Sequence, residues 1–370
     1  MHDDLFYQIL LTLVPNIGDV QAKALTETFG DAASIFKAKR KDLEHVGGMG
    51  VIRAKGIKTF DGFQAAEKEI AFIEKFKITP LFITSPLYPR RLLNCYDSPI
   101  LLYFKGNANL NTAKVISIIG TRNFSEYGKH TCEKLIGELV DQDILIISGL
   151  AYGIDTIAHR TCLKHGFKTV GVLAHGLDMI YPPENTSMAK HMVENGGLLT
   201  DYKSGSNPDK QNFPRRNRIV AGMADAVVVI QSSVKGGSLI TAELANGYNK
   251  DVFAIPGRLT DSKNEGCNYL IKANKAALIT CGKDLLENMN WIAAKTPKKK
   301  QRELFIELTP DEKIIMDILI LHEKMHIDEL YGKSSVSSSA MACALLTLEM
   351  QGVIETLPGK IYKISDSLIA

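Results

Sequence analysis

The sequence predicts an α/β protein centred on a doubly wound, mostly parallel sheet over about residues 112–290, with a small unit on either side. Two observations predict this. The apolar runs "VISIIG" (115–120), "ILIIS" (144–148), "TVGVL" (169–173), "AVVVI" (226–230) and "VFAIP" (252–256) are short, β-rich and almost uninterrupted. Such runs suit strands buried on both faces of a parallel sheet. Between them lie helical patterns such as "GKHTCEKLIGELVDQ" (128–142) and "SLITAELANGYNK" (238–250). Strand and helix in alternation build a sheet through crossover helices.

Ahead of the core, residues 1–65 read as short helices broken by glycine. Two loops, "VPNIG" (14–18) and "VGGMG" (46–50), each precede a helical stretch. The second resembles the hairpin of a helix-hairpin-helix motif, where glycines let backbone N–H groups approach a phosphate. Arg53 and Lys55 follow it, and Asn16 replaces a glycine in the first. Residues 66–111 are a connecting segment or an extension of the core.

Beyond the core, "KTPKKKQR" (295–302) holds five basic residues and no acid. It marks 291–306 as a basic linker. Residues 307–370 carry three helical patterns and a small hairpin with "PG" at its turn, the pattern of a winged helix. The helix that would enter a DNA groove, about 336–350, is "VSSSAMACALLTLEM" and contains no Arg or Lys. A helix without cations is a poor reader of phosphate or guanine, which favours a protein contact or plain domain packing.

The 370 residues are 45% hydrophobic and 23% charged, the composition of a globular protein, and the net charge is +3. An anionic partner must therefore be met by local clusters, not by global charge. No apolar stretch is long enough to span a membrane. The start, "MHDDLFYQIL", has acids where a signal peptide needs bases, so a cytoplasmic location is expected. Cys95, Cys132, Cys162, Cys267, Cys281 and Cys343 are scattered; they read as reduced thiols, with no metal site and no cofactor expected.

In an open α/β sheet a ligand lies beyond the carboxyl ends of the strands. The segments there are "GTRNFSEYG" (120–128), "GLAYGID" (149–155), "AHGLDMIYPPEN" (174–185) and "QSSVKGGSLITAE" (231–243). All carry glycine, which lets an oxyanion reach the backbone near helix N-termini. In "KGGS", Lys235 offers charge, Gly236 and Gly237 offer access, and Ser238 offers a cap and a donor. Arg215, Arg216 and Arg218 in "FPRRNRIVAG" (213–222) add a dense cationic cluster. Neighbours on a helix diverge by about 100°, so two should face the groove and one should pair with a carboxylate, Asp225 or Glu243. Asp155 is expected to cap a helix, and His159 to pack or bond locally. Neither G-x-G-x-x-G nor P-loop spacing is present.

The ordered set "SIIGTR", "SGLAYGIDTIAHR", "GLDMIYPPEN", "FPRRNRIVAG", "KGGSLITAELA", "VFAIPG" and "GCNYLIKANKAALIT" resembles the DprA (Smf) family of bacterial DNA-processing proteins. The likeness is dense over 80–290. It implies an extended Rossmann-like core with a helix-hairpin-helix or SAM-like N-terminal domain and a winged-helix-like C-terminal domain. It also implies a non-enzymatic protein that binds single-stranded DNA without strong sequence preference and protects it. Such proteins form homodimers and load the RecA recombinase in natural transformation. Carried over, the binding surface comprises Gly120, Thr121, Arg122, Ser148, Gly149, Phe213, Arg215, Arg216, Asn217, Arg218, Lys235, Gly236, Gly237 and Ser238. Tyr152 stands where the family commonly has a base, and with Phe213 and Phe124 it is a candidate stacking surface.

Two other readings compete. "KGGSLITAE" distantly resembles the "PGGxGTxxE" motif of nucleoside-monophosphate phosphoribohydrolases, in which Glu243 and an arginine would do the chemistry. Alternatively the chain is mainly an adaptor that acts through its cation-poor C-terminal unit.

Overall fold

A computed structural model describes residues 2–292, 308–322 and 324–365. The run "KTPKKKQR" lies outside them. The chain divides into two compact units, 1–293 and 294–370.

The first unit holds a nine-stranded sheet. Its strands are β1 (Thr79–Phe82), β2 (Leu101–Gly106), β3 (Lys114–Ile119), β4 (Ile144–Gly149), β5 (Thr169–Val172), β6 (Gly196–Thr200), β7 (Ala226–Val229), β8 (Asp251–Ala254) and β9 (Ala277–Leu278). They lie in the order β1-β2-β6-β5-β4-β3-β7-β8-β9. From β6 across to β9 every pairing is parallel, while β1 and β2 add an antiparallel edge. From β3 the chain winds through β4 and β5 to β6 on one side, and β7, β8 and β9 lie on the other. The order therefore reverses between β3 and β7, and a crevice opens above such a point.

Side chains alternate between the two faces of a strand, so each apolar run feeds two cores. Val115, Leu145, Ile147, Val227 and Val229 join one cluster. Ile116, Ile118, Ile144, Ile146 and Val228 join the other. This is why the runs are continuous and not alternating. Ser117, Ser148 and Thr169 are the polar exceptions, and the Ser117 hydroxyl donates to the Val220 carbonyl at 2.6 Å.

The N-terminal helices, among them His2–Leu13, Asp19–Phe29, Gly50–Thr59 and Phe63–Phe76, share the first of these cores through Leu10, Leu25, Ile57 and Ile70. A boundary at residue 65 thus falls inside a helix. Asn16 has φ +65°, the left-handed conformation that a glycine would otherwise supply. Arg53 bridges the two glycine loops, donating to the carbonyls of Asn16 at 3.0 Å and Gly48 at 2.6 Å.

The second unit packs helices Pro310–His322, Ile327–Lys333 and Ser338–Met350 on a three-stranded sheet. Its own core holds Ile315, Leu319, Leu330, Met341, Leu345 and Leu348. Strands Ile354–Leu357 and Ile361–Ile364 form the wing, and Lys324–His326 pairs with the second of them. Helix Ser338–Met350 turns Leu346 and Met350 outward.

Candidate nucleic-acid interface

A cleft of about 710 Å³ opens at the carboxyl ends of β3, β4 and β7, above the reversal of strand order. The loop after β3 contributes Gly120, Thr121 and Arg122, β4 with its loop contributes Gly149 and Ala151, and the helix that follows contributes Asp155. Helix Asn212–Gly222 brings Phe213, Arg216 and Asn217, and the start of helix Gly237–Gly247 brings Gly236, Gly237 and Ser238. Ten of the expected site residues thus line one cavity: Gly120, Thr121, Arg122, Gly149, Phe213, Arg216, Asn217, Gly236, Gly237 and Ser238.

The mouth is cationic and aromatic. The Arg122 guanidinium lies 5.2 Å from the centroid of the Phe213 ring, and Tyr181 meets the other residue of that pair with ring centroids 6.0 Å apart. An exposed cation–π contact contributes roughly 0.5–1 kcal/mol. Lys210 also lines the cleft, so three cations there face a single carboxylate, Asp155. Sequence reasoning missed Lys210 and Tyr181. Both sit in loops at this end of the sheet, and a cation between "SGSNPD" and "QNF" was the available signal.

The floor is a buried polar layer. Arg216 is buried, and Nη1 donates to the Val172 carbonyl of β5. Its Nε has no hydrogen-bond partner among the described residues. Asp155 follows the first residue of helix Ile154–Lys164, where Gly153 occupies the capping position. Its role is therefore that of a buried counter-charge rather than a solvent-facing cap. Burial pushes the Asp155 carboxyl up to about 6, against the pull of Arg216. His159 is fully buried, with Nδ1 2.7 Å from Thr169 Oγ1 and Nε2 2.6 Å from the Gly149 carbonyl. Burial draws its imidazole down to about 4, so it is neutral at pH 7.

The remaining expected residues, Ser148, Tyr152, Arg215, Arg218 and Lys235, lie outside this lining, and Ser238 within it has another role than expected. Ser148 is in the sheet, and its hydroxyl donates to the Ile118 carbonyl at 2.6 Å. Ser238 is not a cap, because Gly236 holds that position and the Ser238 hydroxyl donates to Ser232 at 2.7 Å. What the helix offers a ligand is the N–H groups of Gly237 and Ser238, since that of Leu239 already donates to the Gly236 carbonyl at 3.1 Å. Lys235 is exposed outside the lining, Tyr152 is exposed with its hydroxyl on Glu184 at 2.8 Å, and Phe124 packs on the core.

The arginine cluster divides three ways. Arg215 is exposed, Arg216 is the floor, and Arg218 is half-buried. Arg218 pairs with a carboxylate as expected, but the partners are Asp19 at 2.8 Å and Asp201 at 2.7 Å. Asp225 and Glu243 are instead taken by Arg91 and Lys275. Burial works against the Arg218 charge, yet Asp201 and Asp19 more than offset it and its pKa rises.

With this geometry in view, residues 79–290 match the DNA recombination-mediator protein A family, and residues 299–360 match the DprA winged helix domain. The chain belongs to the DNA recombination-mediator protein A family. DNA processing protein DprA of Streptococcus pneumoniae is 40% identical over 59% of this chain and 77% of its own length. Protein Smf of Synechocystis is 30% identical over 96% of this chain and 98% of its own. Among solved structures, DprA of S. pneumoniae superposes with a TM-score of 0.68 at 32% identity, covering 76% of this chain and 97% of that one. DNA processing protein A of Helicobacter pylori, described for its single-stranded DNA binding mode, gives 0.53 at 32% identity over 58% of this chain and 96% of that one.

Proposed function

We propose that this chain binds single-stranded DNA in the cleft at the carboxyl ends of β3, β4 and β7, with little sequence preference and without altering the strand. The observation that carries this reading is the Arg122–Phe213 pair at the mouth of a cleft with three cations and one buried carboxylate. Cations track the phosphates and an aromatic platform stacks bases of any identity, the combination that sequence-tolerant single-strand binders use. The backbone N–H groups at the start of helix Gly237–Gly247 supply further donors for a phosphate oxygen. The relatives' role in DNA processing and the binding mode described for the H. pylori protein support the same reading.

From the bound strand, the protein acts as a homodimer that protects DNA and loads the RecA recombinase in transformation or recombination. No separate chemistry is required: Glu243, the acid that a nucleotide-hydrolase reading needs, is ion-paired with Lys275 at 2.6 Å and does not line the cleft. The experiment is RecA filament nucleation on a labelled single strand at limiting RecA, with wild type and Arg122→Glu. Faster nucleation with wild type only, on a strand recovered intact, is the expected result. Equal acceleration by both proteins would move loading away from this cleft.

A further inference from the structure

A second cleft of about 650 Å³ adjoins the first, and Pro214 and Ile240 line both. Its walls are carbon: Val20 at the start of helix Asp19–Phe29, Tyr202, Pro214, Ile240 and Leu244. Its floor is Arg218 held by Asp19 and Asp201, with Asp97 beside them, whose carboxylate accepts from the Tyr248 hydroxyl at 2.6 Å. Arg215 stands in the lining, exposed, and makes no hydrogen bond or ion pair among the described residues. Val20 is 50% exposed and Ile240 46%, so apolar surface lies open beside an unpaired cation.

We propose that this second cleft is a nucleobase subsite. It would take an unstacked base of the strand whose phosphates lie in the first cleft, while Arg215 meets the phosphate between them. The inference rests on the single-strand reading above and deepens it. Three features select this occupant. The shared Pro214–Ile240 wall sets the two clefts side by side, the apolar walls with Tyr202 suit a flat π-face, and the free guanidinium suits the phosphate that joins one nucleotide to the next. The N-terminal unit then contributes to DNA binding through Val20, on the helix that follows its first glycine loop. It does so through a carbon wall and not through loop amides.

The test uses the full chain and two labelled oligonucleotides of one length, oligo-dT and a strand of abasic sites, read by fluorescence anisotropy. Phe213 also stacks bases, so the quantity read is the change in preference for dT over the abasic strand. A stacked base is worth roughly fivefold or more in affinity. Val20→Gln, at an exposed position, should cut the preference by roughly threefold or more, leaving abasic-strand affinity and its salt slope unchanged. Leu244→Gln should do the same, and Val51→Gln, equally exposed on another helix, should do nothing. An unaltered preference in Val20→Gln overturns the subsite, and so does equal wild-type affinity for the two strands; either result leaves the phosphate cleft standing. A wild type that binds neither strand overturns the single-strand reading and the subsite with it.

Discussion

Arg216 and Asp155 face each other across Gly149, so close that a Cβ on the glycine would lie 2.5 Å from both Arg216 Nη1 and Asp155 Oδ2. A side chain at the end of β4 would therefore displace the buried cation and its counter-charge at the cleft floor. Gly149→Ala forces both side chains from a packed layer, an overpacking that costs about 1–3 kcal/mol. Urea unfolding should record that loss, and single-strand affinity should fall with it. A variant as stable and as tight as wild type would mean that the floor can relax.

Gly153 makes a stricter demand. It has φ +86°, and a Cβ there would lie 2.3 Å from the Thr121 carbonyl oxygen, a backbone atom of the loop after β3. Gly153→Ala should cost about 1–3 kcal/mol from strain at this backbone conformation alone. It should also displace the Thr121–Arg122 segment, seen as weaker binding in anisotropy even where the protein remains folded.

The buried layer gives two opposing pH dependences. The folded carboxyl of Asp155, near 6, lies above its ordinary 3.8, so it stabilises the fold at low pH and that contribution is lost as pH rises through 6. The folded imidazole of His159, near 4, lies below its ordinary 6.5, so its contribution is present above 6.5 and is lost as pH falls through 4. Between about pH 4 and 6 the two slopes run against each other, each limited to about 1.4 kcal/mol per pH unit. Relative to wild type, Asp155→Asn should gain stability with rising pH across this window, and His159→Gln should lose it. Chemical unfolding at pH 4, 5 and 6 measures both differences; parallel profiles for all three proteins would contradict them.

Arg218 belongs to the fold more than to the DNA surface. Arg218→Ala leaves the Asp201 and Asp19 carboxylates without their cation, and breaking a largely buried pair in this way costs about 3–5 kcal/mol. The unfolding midpoint should drop accordingly. Hydrogen exchange should locate the loss at helix Asp19–Phe29, because Asp19 ties that helix to the core.

Arg122 and Phe213 touch each other but should separate in function. With Arg122 as a proposed phosphate contact, Arg122→Ala should lower the salt slope for single strands by about 0.7. Phe213→Ala should weaken binding by about 1–3 kcal/mol per lost stack and leave the slope unchanged. Salt-dependent anisotropy on both variants distinguishes charge from stacking.

Much of this was legible in the sequence because it is local. The five apolar runs became β3, β4, β5, β7 and β8, since strands buried on two faces need apolar residues at every position. The strands β1, β2, β6 and β9 were not read. β1 contains Pro80, which is tolerated on an edge strand, β6 opens with two glycines, and β9 is two residues long. "LLYFKG" of β2 was the one missed run with a strand-like composition. The divergence of Arg215, Arg216 and Arg218 followed from helix geometry. Their partners did not, because Asp19 meets Arg218 across 199 positions of sequence. Likewise Ser148 and Ser238 have the right chemistry for an anion, and only the fold reveals that their hydroxyls already donate internally.

The proposed path of single-stranded DNA is the cleft marked by Arg122, Lys210 and Phe213. It is tested most directly by oligonucleotide binding across a salt series with wild type and Arg122→Glu/Lys210→Glu, two exposed positions whose change should leave the fold intact. Wild type should bind tightly, strand-selectively and with a steep salt dependence, and the variant should show more than about tenfold loss and a flattened slope. Equal affinity and equal slope in the two proteins would place the DNA elsewhere on the molecule.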